Sequence, residues 1–402
     1  MVIVKRFFSL PLVLRISIGL ALGVLLGIFL PQATFLSGLG SLFISALKAI
    51  APILVFCLVI SSLSGAGKNL GSRFRTVTIL YLVSTLIAAV VAVLGSRAFP
   101  VKVILSSAAE QSAPGSLTDV FGGILHKMFM NPVAALAEGN YVGILFWAVL
   151  IGLSIRRLSD ETTKTVLGSV SNAISVIISW IIQAAPFGIL GIAFETVSQN
   201  GIKVFESYGR LIALLLVCMF FQALVINPII VAICLRHNPY PLVFRCLRES
   251  AITAFFTRSS AANIPINMAL CEKLRLNKEF YSVSVPLGAT INMDGAAITI
   301  TVMSLAAAYS TGIQVGVVMA VLLSVVATLG ACGASGVAGG SLLLIPMACS
   351  MLGVSEDAAM QMVSIGFIIG IIQDSVETAL NSSSDVLITA TADYMEEGYH
   401  YC

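Results

Sequence analysis

The chain has 402 residues, of which 58% are apolar and only 10% are Asp, Glu, Lys or Arg, and its mean hydropathy is +1.02. A soluble domain carries about 25% of those four charged types, so a water-soluble surface is excluded and a polytopic membrane protein remains. A net charge of +3 spread over small basic groups gives no case for nucleic-acid binding, and the composition excludes a disordered chain and a disulfide-rich secreted domain.

A spanning helix needs about 20 apolar residues. The predicted spans are Leu12–Leu30, Gly40–Leu63, Thr76–Phe99, Tyr141–Ile155, Thr165–Val197 and Ile202–Leu235. The first follows Lys5 and Arg6 like a signal peptide, but it is too long and no small-residue cleavage site follows, so it reads as a retained helix. The fifth is interrupted by Ala185-Pro186-Phe187-Gly188, which predicts a kink rather than two spans. Val101 to Asn140 reads as an external loop. The eight cysteines form no Cys-x-x-Cys pair and mostly sit in apolar runs, as small buried side chains do.

Basic residues set the orientation. Lys5/Arg6/Arg15, Lys68/Arg73/Arg75, Arg156/Arg157/Lys164, Arg236/Arg245/Arg248 and Lys273/Arg275/Lys278 lie at alternate ends of the spans, and all can be cytoplasmic at once. That requires the N-terminus inside and a segment, Pro241 to Leu274, that returns to its own side: a re-entrant hairpin. A long helix from Tyr281 to Tyr309 is predicted next. Gln314 to Gly353 then holds two apolar stretches around Gly330, Gly333, Gly336, Gly339 and Gly340, too many glycines for a continuous helix. Broken backbone at membrane depth is tolerated inside protein or against a cavity, so this reads as a second hairpin. Two hairpins of opposite entry, each followed by a long helix, form an inverted-repeat pattern common among transporters.

Ionisable residues inside a membrane are expensive and mark function. The last third of the chain has five: Arg258, Asp294, Asp374, Glu377 and Asp385. Arg258 sits with Ser259 and Ser260 at the expected tip of the first hairpin, and Asp294 follows Asn292 within an apolar helix. Asp374, Thr378, Asn381 and Asp385 recur at spacings of four, three and four, which makes one polar stripe with Glu377 beside it. Structural interhelical hydrogen bonds would account for one Asp, but four acids against one Arg call for bound cations, protonation or both. Asn and Asp side chains and unwound carbonyls are hard oxygen ligands suited to sodium. His126, His237 and His400 stand near no Cys or acid at zinc-ligand spacing, and the chain has no P-loop, Gly-x-Ser-x-Gly or His-Glu-x-x-His.

Thr257-Arg-Ser-Ser260, Pro286-Leu-Gly-Ala-Thr-Ile-Asn-Met-Asp-Gly295 and the Asp374…Asn381…Asp385 stripe resemble the dicarboxylate/amino acid:cation symporter family, which includes the glutamate transporters. Ala261-Ala-Asn-Ile-Pro265 and Gln373-Asp-Ser-Val-Glu-Thr-Ala-Leu-Asn-Ser-Ser-Ser384 look closest to its bacterial serine/threonine:sodium branch. The resemblance covers nearly the whole chain and implies an all-α homotrimer of eight transmembrane helices and two re-entrant hairpins, moving as an elevator. It implies scaffold helices in 1–75 and 141–200, a transport-domain helix in 76–100, an external loop in 101–140 and the rest of the transport domain in 201–402. The location implied is the bacterial inner membrane, multi-pass in lipid, with both termini cytoplasmic.

By the same resemblance Asp374 holds the substrate α-ammonium, and Asn381 with Ser260 holds the α-carboxylate. Carbonyls near Arg258 and Val337, the Ser341 amide and the Thr378 hydroxyl complete a pocket that includes Ser259 and Glu377. One sodium ion is expected at Asp385 with carbonyls of Gly288, Asn292 and Asn381. A second is expected at the Asn292 and Asp294 side chains with Tyr81, Ser84 and Thr85. A third is expected at carbonyls near Thr290 and Ala331–Ala334. Two departures stand out. Carriers of acidic amino acids have an Arg where this chain has Glu377, which would repel a second carboxylate, so L-serine and L-threonine are the expected substrates, and Arg258 is placed to pair with Asp374 or Glu377. The family's threonine after Asn-Met-Asp-Gly is Ala296. Another small neutral amino acid, proton coupling through Glu377, a channel and an intramembrane enzyme remain the alternatives; a channel needs a continuous pore, and an enzyme a nucleophile–base pair not evident here.

Overall fold

The computed structural model describes residues 10–65, 72–105, 125–158, 161–202, 204–332, 334 and 339–397, and every regular element among them is a helix. Six described helical stretches are long and apolar enough to cross a membrane. A helix bonds its own backbone groups where no water is present, which is why so apolar a chain takes this form.

Helix α1 (Leu12–Phe29) leads through a 3₁₀ turn to α2 (Ser37–Gly65), and both pack on α7 (Ala185–Asn200). Small residues four apart set the α1–α7 contact. Gly19, Gly23 and Gly27 lie against the carbonyls of Pro186, Leu190 and Phe194, and a Cβ at Gly27 would stand 2.9 Å from the Phe194 oxygen. Only glycine lets two backbones approach so closely. α2 also packs on α5 (Tyr141–Leu158) and α6 (Glu161–Gln183). Ala184 alone joins α6 to α7, and its φ of −84° and ψ of −6° stay in the right-handed helical region. The chain therefore bends at Pro186 without reversing, as the kink reading expects. Between α3 (Ser72–Ala98) and α5, where a plain loop is expected, the described residues include helical residues 125–128 and a short helix, α4 (Pro132–Glu138). Asn131 caps it by accepting from the backbone N–H groups of Val133 and Ala134. Residues 106–124 of that stretch lie outside the described part.

α8 (Val204–Phe221) and α9 (Asn227–Leu235) flank a π-helical turn at Gln222–Ile226. Pro228 has no N–H to offer the preceding turn, and the Leu224 carbonyl takes the Tyr240 hydroxyl instead, at 3.3 Å. Two later segments fold back on themselves. In the first, α10 (Tyr240–Cys246), a π-helical turn and α11 (Ile252–Thr257) lead to Arg258, which is left-handed at φ 52°, and α12 (Ser260–Lys273) returns. The antiparallel register shows in Thr253 donating to Asn263 (2.8 Å), Ser250 to Asn267 (2.5 Å) and the Lys273–Glu249 pair (2.7 Å). In the second, α15 (Val317–Ala331) is followed by a 3₁₀ turn (Gly340–Leu344) and α16 (Ile345–Leu352), with Gly330 against Met347 and Gly340 against the Ala334 carbonyl. Val337, Gly333 and Gly336 lie outside the described residues.

The helix predicted from Tyr281 to Tyr309 is two. α13 (Lys278–Ile291) and α14 (Asp294–Ser310) are parted by Asn292 (φ −94°, ψ 81°) and Met293 (φ −120°, ψ 56°). Asp294 therefore opens a helix rather than sitting in the middle of one. Side chains take over the backbone groups that the break exposes: Met293 N donates to Thr85 Oγ1 (3.2 Å) and Gly295 N to Asn381 Oδ1 (2.7 Å). Every residue of α14 from Asp294 to Ala308 is buried, among α3, α8, α15, α16 and α17 (Glu356–Glu397). At one end Arg73 of α3 pairs with Asp393 (2.8 Å) and Glu396 (2.7 Å) of α17, and Asp393 also accepts from Asn277 N (2.9 Å). This ties the starts of α3 and α13 to the end of α17. The helices α1, α2 and α5–α7 meet the others where α16 packs on α5 and α17 on α7, at an edge-to-face Phe43–Phe367 contact (5.4 Å), and along a crevice where Leu12, Ile16 and Ile182 face Arg258 and Asp374.

Candidate functional site

The polar stripe lies on one unbroken helix, α17, at the level where α13 gives way to α14 and where both fold-back tips arrive. All of its members are buried: Asp374, Glu377, Thr378 and Asn381 at 3–6% exposure and Asp385 at 0%. Each acid has a different environment.

Asp374 receives both tips. Arg258 donates to its Oδ2 from Nε (2.7 Å) and pairs with it through the second guanidinium nitrogen (2.6 Å), while Gly339 N donates to Oδ1 (3.2 Å). The left-handed backbone at Arg258 ends α11 and turns this side chain toward α17. Of the two partners predicted for Arg258, the structure selects Asp374. Glu377, one turn on, accepts three neutral donors on Oε2: Thr299 Oγ1 (2.6 Å), Ser341 Oγ (2.9 Å) and Gln373 Nε2 (2.5 Å). The expectation named the Ser341 amide, and the structure brings its side chain to Glu377. Thr378 donates to the Asp374 carbonyl of its own helix (2.8 Å), and Ser259 caps α12 by accepting from Ala262 N (3.2 Å). Ser260 is buried beside that cap. Asn381 accepts from Gly295 N, and its Nδ2 has only the Met293 sulfur as described acceptor (3.4 Å).

Asp385 faces the break between α13 and α14. Asn292 Nδ2 donates to its Oδ1 (3.0 Å) and to Ser384 Oγ (2.7 Å). Asp385 Oδ2 and Asn292 Oδ1 are both enclosed with no donor among the described residues. Gly288 makes this approach possible, because a Cβ there would stand 2.8 Å from both Asp385 Oδ1 and the Tyr81 hydroxyl. Two hard oxygens without donors, one of them on a carboxylate, form a set that a small hard cation satisfies.

Asp294 is served by α3 and by the first residue of α9. Ser84 Oγ (2.9 Å) and Asn227 Nδ2 (3.3 Å) donate to Oδ2, and Thr85 Oγ1 lies 3.4 Å from Oδ1. Gln222 Nε2 holds Asn227 Oδ1 at 2.9 Å. The predicted grouping of Asn292, Asp294, Tyr81, Ser84 and Thr85 is therefore divided. Ser84 and Thr85 serve Asp294, whereas the Asn292 side chain goes to Asp385 and the Tyr81 hydroxyl to Thr389 (2.8 Å) and the Ser284 and Asp385 carbonyls (both 3.2 Å). Thr290 donates to Leu287 of its own helix (2.7 Å) and brings no side chain to the acids.

Several residues of this network have no role assigned from the sequence, although Gln373, Asn263 and Ser382 lie within the motifs that carry the resemblance. Gln222, Asn227, Thr299 and Gln373 touch an acid or its immediate partner, and Ser250, Asn263, Asn267 and Ser382 form a buried hydrogen-bonded cluster that fastens the first fold-back to α17. A signal existed for some: Gln373 is four residues before Glu377, and Asn263 and Asn267 are four apart, so each pair shares a helix face. Thr299 and Asn227 are isolated polar residues in apolar runs, and only packing shows what they face.

The description "sodium:dicarboxylate symporter family" fits residues 12–395. A serine/threonine transporter SstT of Bifidobacterium adolescentis is 55% identical over 384 residues, covering 95% of this chain and 89% of that one. Proteins of the same name from Streptococcus thermophilus and Enterococcus faecalis are each 52% identical, over 97% of this chain and 98% and 93% of theirs. These relatives are transporters, and the match runs through the fold-backs, the broken helix and the acidic stripe alike. A buried line of acids, a helix unwound beside it and similarity along nearly the whole length lead to one assignment: the chain belongs to the sodium:dicarboxylate symporter family.

Proposed function

We propose that the chain is a sodium-coupled symporter that imports L-serine and L-threonine across the bacterial inner membrane. The observation that carries this reading is the buried carboxylate of Asp374, held by Arg258 from one tip and Gly339 from the other. An amino acid brings an ammonium suited to the oxygen that Arg258 occupies. The Asn381 amide and Ser260 suit its α-carboxylate, and Glu377 disfavours a second carboxylate. The names of the relatives support serine and threonine.

Sodium binds at Asp385 with Asn292 and the backbone of Gly288 and Asn381, and at Asp294 with Ser84, Thr85 and Asn227. A third ion rests on backbone near Thr290 and residues 331–334. The eight spans are α1, α2, α3, α5, α6–α7, α8–α9, α13–α14 and α17, with α10–α12 and α15–α16 as re-entrant hairpins. Both termini are cytoplasmic. Residues 1–75 and 141–200 form the scaffold of a homotrimer in lipid, with 101–140 as an external loop. Residues 76–100 and 201–402 move past it as an elevator, and packing that is denser within each group than between them supports that division. Substrate and sodium together neutralise the acids, so a fully loaded domain crosses a low-dielectric barrier more readily than a partly loaded one.

The test is labelled serine uptake into proteoliposomes under an inward sodium gradient, against equal sodium and against choline. Threonine, alanine, aspartate and glutamate serve as competitors. Saturable, gradient-dependent uptake that threonine blocks and aspartate does not is the expected result. Uptake indifferent to sodium would overturn the coupling, and inhibition by aspartate would overturn the substrate assignment.

A further inference from the structure

Glu377 is bonded on one side only. Thr299, Ser341 and Gln373 all donate to Oε2, and Gln373 Nε2 also donates to Thr299 Oγ1 at 2.7 Å, which directs the Thr299 hydroxyl hydrogen toward the carboxylate. Oε1 accepts from none of the described residues, yet it is not sealed away, and Glu377 keeps 6% exposure. Gln373 shows the opposite. Its Oε1 is enclosed with no described donor while its Nε2 serves both Glu377 and Thr299. A network optimised for stability alone would not leave that amide oxygen unpaired, because an enclosed acceptor without a donor is costly. The arrangement makes sense if holding the Glu377 carboxylate in one orientation is the purpose.

Three donors on one oxygen fix the plane of the carboxyl group and leave the other oxygen as its one remaining acceptor. Glu377 lies one turn from Asp374, and the second tip touches both acids, Asp374 through Gly339 N and Glu377 through Ser341. A substrate whose ammonium is on Asp374 and whose side chain points along α17 toward Glu377 meets Oε1. We infer that Thr299 and Gln373 are positioning residues for side-chain selection: they hold Glu377 so that Oε1 accepts the hydroxyl hydrogen of serine or threonine and finds no partner in alanine. This inference rests on the reading of the chain as a serine and threonine carrier. The hydroxyl donates a hydrogen bond to the carboxylate, and no proton is transferred. Discrimination follows because a site built to accept a hydroxyl is left with an unpaired buried oxygen when the methyl analogue binds.

The experiment uses the full chain in proteoliposomes and measures sodium-driven serine uptake with inhibition constants for serine, threonine and alanine. The variants are Thr299→Val, Gln373→Met and Thr299→Ser. Thr299→Val and Gln373→Met are expected to weaken serine and threonine by about tenfold or more while alanine changes by less than about threefold, so that preference for the hydroxyl collapses. Thr299→Ser restores the donor and is expected to keep the wild-type ratio. A loss common to serine and alanine would assign these residues a structural role and overturn the inference. So would an unchanged serine-to-alanine ratio in both Thr299→Val and Gln373→Met. An absence of sodium-driven serine uptake by the wild-type chain would overturn the parent reading and this inference with it. Normal wild-type uptake with variants that keep the wild-type serine-to-alanine ratio, or lose serine and alanine equally, would overturn the inference alone.

Discussion

Asp385→Asn separates a cation ligand from a structural acid, because the two roles predict opposite signs. In the structure Asp385 Oδ1 has one neutral donor, Asn292 Nδ2 at 3.0 Å, and Oδ2 has none among the described residues. Asn292 Oδ1 also lacks a described donor. The substitution preserves volume, removes the charge and adds an N–H₂ group beside Asn292. Without sodium, the variant is therefore expected to be more stable than wild type by about 1–3 kcal/mol, the cost of leaving a buried polar group unsatisfied. With sodium the order changes. A cation at 100 times its dissociation constant stabilises a native site by about 2.7 kcal/mol, and the variant loses that gain. Thermal unfolding of the purified protein in choline and in sodium reads both effects. A variant that melts below wild type in choline, or that gains as much from sodium as wild type does, would refute the assignment.

Asp374→Asn removes the charge that Arg258 and Gly339 both approach. It is expected to abolish serine binding in a direct binding assay, a loss on the order of 100-fold from a charge-assisted contact of about 3 kcal/mol. Binding at normal affinity would remove Asp374 from the site. Glu377→Arg inserts a cation where Thr299, Ser341 and Gln373 now donate, so serine uptake is expected to fall at least tenfold, with acidic amino acids becoming competitors. An unaltered substrate profile would show that Glu377 does not face the substrate. Gly23→Leu drives a side chain into the Leu190 carbonyl of α7, and overpacking of that kind costs about 1–3 kcal/mol. A lower melting temperature in detergent is expected, and an unchanged one would mean that α1 and α7 separate without penalty.

How much was legible in the sequence depended on what each residue's signal is made of. Apolar run length is a property of the chain and its solvent, so most of the long apolar helices and the bend at Pro186 were readable, as was the reversal at Arg258. Asp374, Asn381 and Asp385 could be placed on one face because a helix period is local arithmetic. The break at Asn292–Met293 was not readable as a boundary, since α13 and α14 continue the same apolar pattern and the exposed N–H groups are satisfied by Thr85 and Asn381 from distant helices. The division of the predicted cation ligands had the same origin. Asn292 precedes Asp294 by two residues, yet unwinding sends one side chain to Asp385 and the other to Ser84 and Asn227. Thr299 and Gln373 mark the limit most clearly. The chain declares them polar, but only packing of α14, α17 and the second fold-back decides that both donate to Glu377. Composition and period are written in one dimension; which donors converge on a buried acid depends on contacts between residues far apart in the chain, and tertiary structure alone decides those.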